Sequence, residues 1–286
     1  MPLNLMYITR DPAVARIAER HGVDRIFVDM EFVGKSARQG GMDSVQNHHT
    51  VADVRRIREA LTTAELLVRV NPIHDELDST QPGGPYPSSA DEIDAVVDAG
   101  ADVLMLPYFS TVAEAAEFVR LVNGRAQTIL LVETPPAAQA IDELCALPGI
   151  DQIHIGINDL CLGMGRKFMF ELLADGTVER LCRSMQRAGH TYGFGGIARI
   201  GEGLVPAEMI IREHYRLGSQ AAILSRAFCN ASNYEDPADI EAIFATGVRQ
   251  IRELEAECAR KLEAGDADYF ACNRQALKAA VAQVVG

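Results

Sequence analysis

Short apolar runs recur along the chain, and each is followed by a stretch in which apolar positions return every three or four residues. The runs fall at 3–8, 25–32, 66–70, 103–107, 128–133, 152–156, 192–197 and 221–225. The stretches with helical spacing fall at 11–22, 50–61, 89–99, 111–123, 136–146, 177–188 and 206–217. Beyond the last run come two more, at 237–264, as one helix or two, and at 269–284. Punctuation agrees with this reading. Asp11-Pro12 starts a helix, and Thr50 can cap the next, whose Val51, Val54, Ile57 and Leu61 share one face.

Eight strands, each followed by a helix, predict an α/β protein. Strands this apolar belong to a parallel sheet covered on both faces. A doubly wound sheet competes but has no need of eight consecutive units. The expectation is therefore a single (β/α)8 TIM barrel over 1–235, with 236–286 as a C-terminal helical extension of the same domain.

Composition narrows the function classes. The net charge of −13 argues against nucleic acid or an anionic membrane as partner. No apolar run approaches the roughly 20 residues that span a bilayer, and the N-terminus does not read as a signal peptide. The six cysteines are scattered without a CxxC pair, which predicts reduced thiols and neither a zinc site nor a disulfide framework. A cytoplasmic location is the expectation.

In a (β/α)8 barrel the chemistry sits at the C-terminal ends of the strands. There the sequence places Asp29 and Glu31 (second strand), Arg69 and Asn71 (third), Pro107 and Tyr108 (fourth), Glu133 (fifth), and Asn158 and Asp159 (sixth). Arg199 follows the seventh strand; Ser225 and Arg226 end the eighth. Glu133 and Asp159 flank one strand–helix–strand unit, so both acids share a rim. They either cap the following helices or converge on a hard divalent cation, which prefers oxygen ligands. Arg69, embedded in an apolar strand end, either neutralises Asp29 or Glu31 or offers its planar fork to a substrate carboxylate.

The segments LLVRVN, ADVLMLPYFSTVAEAAEFV and LLVETPPAAQAIDELCALPGIDQIHIGINDL resemble the HpcH/HpaI aldolase family. These are class II pyruvate aldolases related to the citrate lyase beta subunit, in the phosphoenolpyruvate/pyruvate barrel superfamily. The resemblance spans roughly residues 3–230 and is sharpest over 64–165. It implies that Glu133 and Asp159 bind Mg²⁺ or Mn²⁺, with Co²⁺ also acceptable, and that water fills the other positions. It further implies that Arg69 holds a pyruvate-like unit, with Gly156, Asn158 and Arg199 beside the substrate. A 2-oxo acid and an aldehyde acceptor would be the small-molecule partners. The C-terminal helices would pack on a neighbouring subunit of a homo-oligomer.

One departure stands out. The aldolases carry Asp-Gly-Glu-His after the second strand, where this chain has Asp29-Met30-Glu31-Phe32. The acids remain, but Phe32 cannot move a proton. The segment is nearer the Asp-Leu-Glu-Asp of the citrate lyase side. The long loop 33–49 ends in His48 and His49, candidates for the missing acid–base group, and carries Lys35 and Arg38. Arg166 and Lys167 in a glycine-flanked turn could also greet an anionic substrate, and the segment 195–208 brings Arg199 and Glu202 to the same rim. His154 reads as structural, and His214 receives no role.

The expected activity is a metal-dependent carbon–carbon lyase working through a pyruvate-type enolate. Citrate-like or acyl-thioester cleavage, other enolate or phosphoenolpyruvate chemistry, and a non-catalytic barrel that binds a 2-oxo acid are the alternatives.

Overall fold

The computed structural model describes residues 2–32, 49–75 and 86–286. Eight parallel strands close into a barrel in chain order. They are β1 (Asn4–Ile8), β2 (Arg25–Asp29), β3 (Glu65–Arg69), β4 (Val103–Leu106), β5 (Gln127–Val132), β6 (Gln152–Ile155), β7 (Thr191–Ile197) and β8 (Ala221–Leu224). Around them lie α1 (Pro12–Arg20), α2 (Val51–Ala60), α3 (Ser89–Asp98), α4 (Val112–Val122), α5 (Pro135–Gln139), α6 (Ile141–Cys145), α7 (Ile157–Gly163), α8 (Glu171–Ala174), α9 (Thr177–Arg187) and α10 (Ala207–Leu217). The tail forms α11 (Pro237–Glu263) and α12 (Ala267–Val285). The chain is thus the (β/α)8 barrel with C-terminal helices that its periodicity predicts.

Strand alternation sorts the side chains into two cores. Outward residues such as Val28, Leu66, Val68, Leu104, Leu130 and Ile155 pack beneath the helices. Inward residues Met6, Phe27, Leu67, Met105, Ile129 and Leu131 fill the barrel. The layer where the strands begin is polar, with a buried cation at its centre. Arg25 donates from Nε to Glu65 at 2.6 Å and from Nη1 to Gln152 at 2.7 Å, and Gln127 Nε2 bonds Glu65 at 2.9 Å. This buried cation therefore has its partners, as burial demands. Asp29, Arg69 and Glu133 come at the opposite end.

Local chemistry fixes the helix starts. Thr50 and Thr111 form capping boxes with Asp53 and Glu114, and Asp11, Ser88, Thr134 and Asp236 cap through their side chains. The helix expected over 136–146 divides at Ala140, so that Ala137 and Ala138 are buried by one piece and Ile141 and Leu144 by the other. The stretch from 237 is one continuous helix of 27 residues. Gly247 inside it gives room to Phe228, whose Cε2 would lie 2.7 Å from an added Cβ. Part of the tail's apolar surface is buried within the chain: Phe270, Leu277 and Val281 of α12 belong to the outer core, as do Ile240, Phe244 and Ile251 of α11, while Leu262 and Val284 are exposed. Among the described residues no helix is long and apolar enough to cross a membrane.

Candidate active site at the carboxyl ends of the strands

The register of β2 against β3 sets Asp29 beside Arg69. Arg69 grips Asp29 with both prongs, Nε to Oδ1 and Nη2 to Oδ2, each at 2.8 Å. Nη2 also lies 3.4 Å from Glu31 Oε2. Both acids are 1% exposed, and the arginine side chain 14%. Its guanidinium carbon stands 5.6 Å from the centre of the Phe27 ring. Burial disfavours the cation, yet Asp29, Glu31 and Glu133 outweigh it and hold the Arg69 pKa well above its ordinary value. The ion-pair reading of Arg69 is therefore realised. Among the described residues Nη1 makes no hydrogen bond, which leaves one edge of the fork for a ligand.

Glu133 follows β5 and is 3% exposed. Its Oε1 accepts the Tyr108 backbone N–H at 2.9 Å. Tyr108 delivers that donor from a left-handed backbone, φ 47°, a conformation that costs a non-glycine residue roughly 1–3 kcal/mol. Gly156, at the end of β6, leaves space on the other side: an added Cβ would stand 2.7 Å from Glu133 Oε2. Burial pushes the Glu133 pKa up; Arg69 pulls it down, and Glu31 and Asp159 push it up again, to about 8.

Asp159 is not on a strand. β6 ends at Ile155, and Asn158 and Asp159 belong to the first turn of α7. Asp159 is half-buried and accepts from Asn158 Nδ2 at 3.3 Å, while Asn158 is exposed. Neither acid caps a helix: Thr134 caps α5, and the cap position of α7 is Gly156, with no side-chain bond. Among the described residues no group of three His, Cys, Asp or Glu side chains forms a ready metal cage. Two hard carboxylates do fit a Mg²⁺-like ion, which is held by one or two such groups and keeps several waters. The crowding of Glu133 by Glu31 and Asp159 is what a cation would relieve.

His49 is the described member of the histidine pair; His48, Lys35 and Arg38 lie outside the described residues. The Asp29 backbone N–H donates to His49 Nδ1 at 3.0 Å. A neutral ring that accepts at Nδ1 carries its proton on Nε2. The loop histidine thus reaches the rim, where its ring accepts a backbone N–H of β2.

Two further candidate cations are held in ion pairs. Arg199 pairs with Glu202 at 2.8 Å, and Arg166 with Asp175 at 3.2 Å. His154 faces the barrel interior, fully buried, and burial lowers its pKa to about 4, so the ring is neutral. His214 is fully buried as well, stacked 3.8 Å from Phe194 and 2.8 Å from Ser219 Oγ.

One acid at this rim escaped the sequence reading. Glu92, in the first turn of α3, is 1% exposed and contacts Asn71. The signal was present: Glu92 falls on the face formed by Ser89, Ile93 and Val96, where an acid needs a reason to be.

Several solved structures share this fold. An HpcH/HpaI aldolase from Desulfitobacterium hafniense DCB-2 aligns with TM-score 0.58 at 18% identity, covering 88% of this chain and 93% of that one. An HpcH/HpaI aldolase/citrate lyase family protein from Burkholderia cenocepacia J2315 gives 0.59 at 17%, covering 88% and 94%. The citrate synthase SbnG gives 0.56 at 16%, covering 93% and 95%. Identities this low speak for fold alone. Comparison with curated protein sequences gives no match. The profile of the HpcH/HpaI aldolase/citrate lyase family matches residues 4–172, a segment that contains Asp29, Arg69, Glu133 and Asp159, and the chain belongs to that family.

Proposed function

We propose that this lyase-family chain is a divalent-metal-dependent aldolase of the class II type, acting through the enolate of a pyruvate-like 2-oxo acid. The observation that carries the reading is the gathering of Arg69, Asp29, Glu31, Glu133 and Asp159 in one electrostatic cluster at the catalytic rim.

Glu133 and Asp159 would hold the ion, Mg²⁺, Mn²⁺ or Co²⁺. A cation there supplies Lewis acidity, which acidifies the methyl protons of a bound 2-oxo acid and stabilises the enolate. Arg69, fixed by Asp29, offers Nη1 to the substrate carboxylate or keto oxygen. Asp29 and Glu31 act by aiming that arginine. Gly156 leaves room for Glu133, Asn158 donates to Asp159, and Arg199 would have to give up Glu202 to meet a longer anionic substrate. The second substrate would be an aldehyde. Leu204 is 75% exposed, and Tyr108, Leu162 and Met164 are exposed too, apolar area that a second copy of the chain would cover.

His49 serves here as the donor to the oxygen that gains charge, since its Nε2 carries the proton. His49→Phe keeps an aromatic ring but removes both the donor and the acceptor of the Asp29 N–H. It is expected to lower kcat for aldol cleavage about 10²-fold. An unchanged kcat would remove His49 from the chemistry.

A citrate-like or acyl-thioester donor is the second reading, favoured by one observation: Phe32 stands where the aldolases have histidine. Both readings meet the same first experiment, exchange of pyruvate methyl protons with deuterated water, followed by NMR with and without Mn²⁺ or Mg²⁺. Cation-dependent exchange supports the pyruvate enolate; no exchange with any cation moves the donor to the second class.

A further inference from the structure

We infer that Glu92 is a positioning residue for this active site, acting through Asn71 to hold the acidic segment 29–32 in register. The inference rests on the proposed enolate chemistry for its kinetic consequence, though not for its structural one.

Glu92 presents a buried carboxylate with no ion-pair partner among the described residues. Its Oε1 accepts from Asn71 Nδ2 at 2.9 Å and from the Asn71 backbone N–H at 3.2 Å, and its Oε2 lies 3.3 Å from that same N–H. Burial raises its pKa to about 7, partly offset by the bonds from Asn71. Its place in the first turn of α3 sets the carboxylate where the helix dipole favours negative charge. A buried acid without a cation is a poor stabilising device. It is a good orienting device, because a carboxylate only accepts.

Orientation is what Asn71 requires. An amide side chain can turn over, exchanging its oxygen and nitrogen at almost no change in shape. Here Glu92 demands the NH₂ end, so Oδ1 must face the other way. There it accepts the Phe32 backbone N–H at 2.8 Å. Phe32 directly follows Glu31, whose own N–H donates to Asp29 Oδ1 at 3.2 Å. The path therefore runs from α3 to the strand end that carries both partners of Arg69. Without Glu92 the amide loses the acceptor that selects its NH₂ end, and only the donor side still favours the orientation that sets Oδ1 toward the Phe32 N–H. The bond from Asn71 to the segment that carries Asp29 and Glu31 is then weakened, and with it the aim of Arg69.

The test uses Glu92→Leu, Glu92→Gln and Asn71→Ala. Amide hydrogen exchange reads the structural link whether or not pyruvate is a substrate. In Glu92→Leu the Phe32 N–H is expected to lose at least about tenfold in protection, while β2 and β3 keep theirs. Glu92→Gln retains an acceptor for Asn71 Nδ2 and should restore protection. For methyl-proton exchange, Glu92→Leu and Asn71→Ala should each lower kcat about tenfold with little change in KM. The double variant should fall no further than the worse single, as residues acting in series do. A protected Phe32 in a folded Glu92→Leu protein overturns the link. Effects on kcat that multiply, or an unchanged kcat, overturn the positioning role. Absence of exchange in the unmodified protein would instead count against the enolate reading, leaving the amide measurement to decide this inference alone.

Discussion

Arg69→Ala is expected to abolish metal-dependent methyl-proton exchange, by at least 10²–10³-fold, and also to destabilise the fold. Both effects come from the same geometry. Asp29 and Glu31 are each 1% exposed and lean on Arg69. Removing one partner of a buried pair takes away the charge opposite both acids, which costs up to about 3–5 kcal/mol. A loss of activity alone would therefore not separate a substrate-binding arginine from a structural one. Arg69→Lys does. Lysine keeps the positive charge beside the two acids, so much of the stability should return in a denaturant melt. It lacks the planar fork that holds Asp29 with Nε and Nη2 while presenting Nη1 outward. Exchange should therefore stay at least tenfold down in a protein that unfolds near the unmodified midpoint. A lysine variant that exchanges protons at the full rate would reduce Arg69 to a counter-ion.

Sequence periodicity carried the barrel because its strands are buried on both faces and its helices are punctuated by caps that act within three or four residues. The rim residues Asp29, Arg69 and Glu133 were legible for the same reason: each is charged at the end of an apolar run, and β-alternation puts all three inside. The harder part was long-range. No spacing reveals that Arg69 meets Asp29 in a register 40 residues apart, although two roles for the arginine could be named in advance. Asp159 was assigned to a strand end because IHIGIN reads as one apolar run. The strand stops at Ile155, and a helix starts two residues later without a side-chain cap to announce it. His49 was named as a base from its residue type and loop position. Its tautomer depends on a backbone N–H from β2, which only the folded chain supplies.

Glu133→Gln should weaken Mn²⁺ binding by more than about a hundredfold, since it removes a ligand and not merely a residue behind one. It should also make the metal-free protein more stable, but only in one range of pH. Glutamine keeps an oxygen for the Tyr108 N–H and deletes the charge that burial, Glu31 and Asp159 oppose. In the folded protein the Glu133 pKa is raised from 4.5 to about 8, so folding favours the protonated acid. That contribution is complete below the unfolded value and is lost as pH rises through 8. The full loss, reached once the pH is well above 8, is on the order of 5 kcal/mol. Glu92, raised to about 7, adds a loss in the same direction that no cation at Glu133 repairs. Melts of the metal-free protein should therefore fall in midpoint from pH 5.5 to 8.5, and less steeply for Glu133→Gln. Mn²⁺ should restore the unmodified protein more at pH 8.5 than at 5.5, because at the lower pH it must first displace a proton. Equal stabilisation by Mn²⁺ at both pH values, or undiminished stabilisation of Glu133→Gln, would place the ion elsewhere and leave Glu133 as a buried acid that only shapes the field around Arg69.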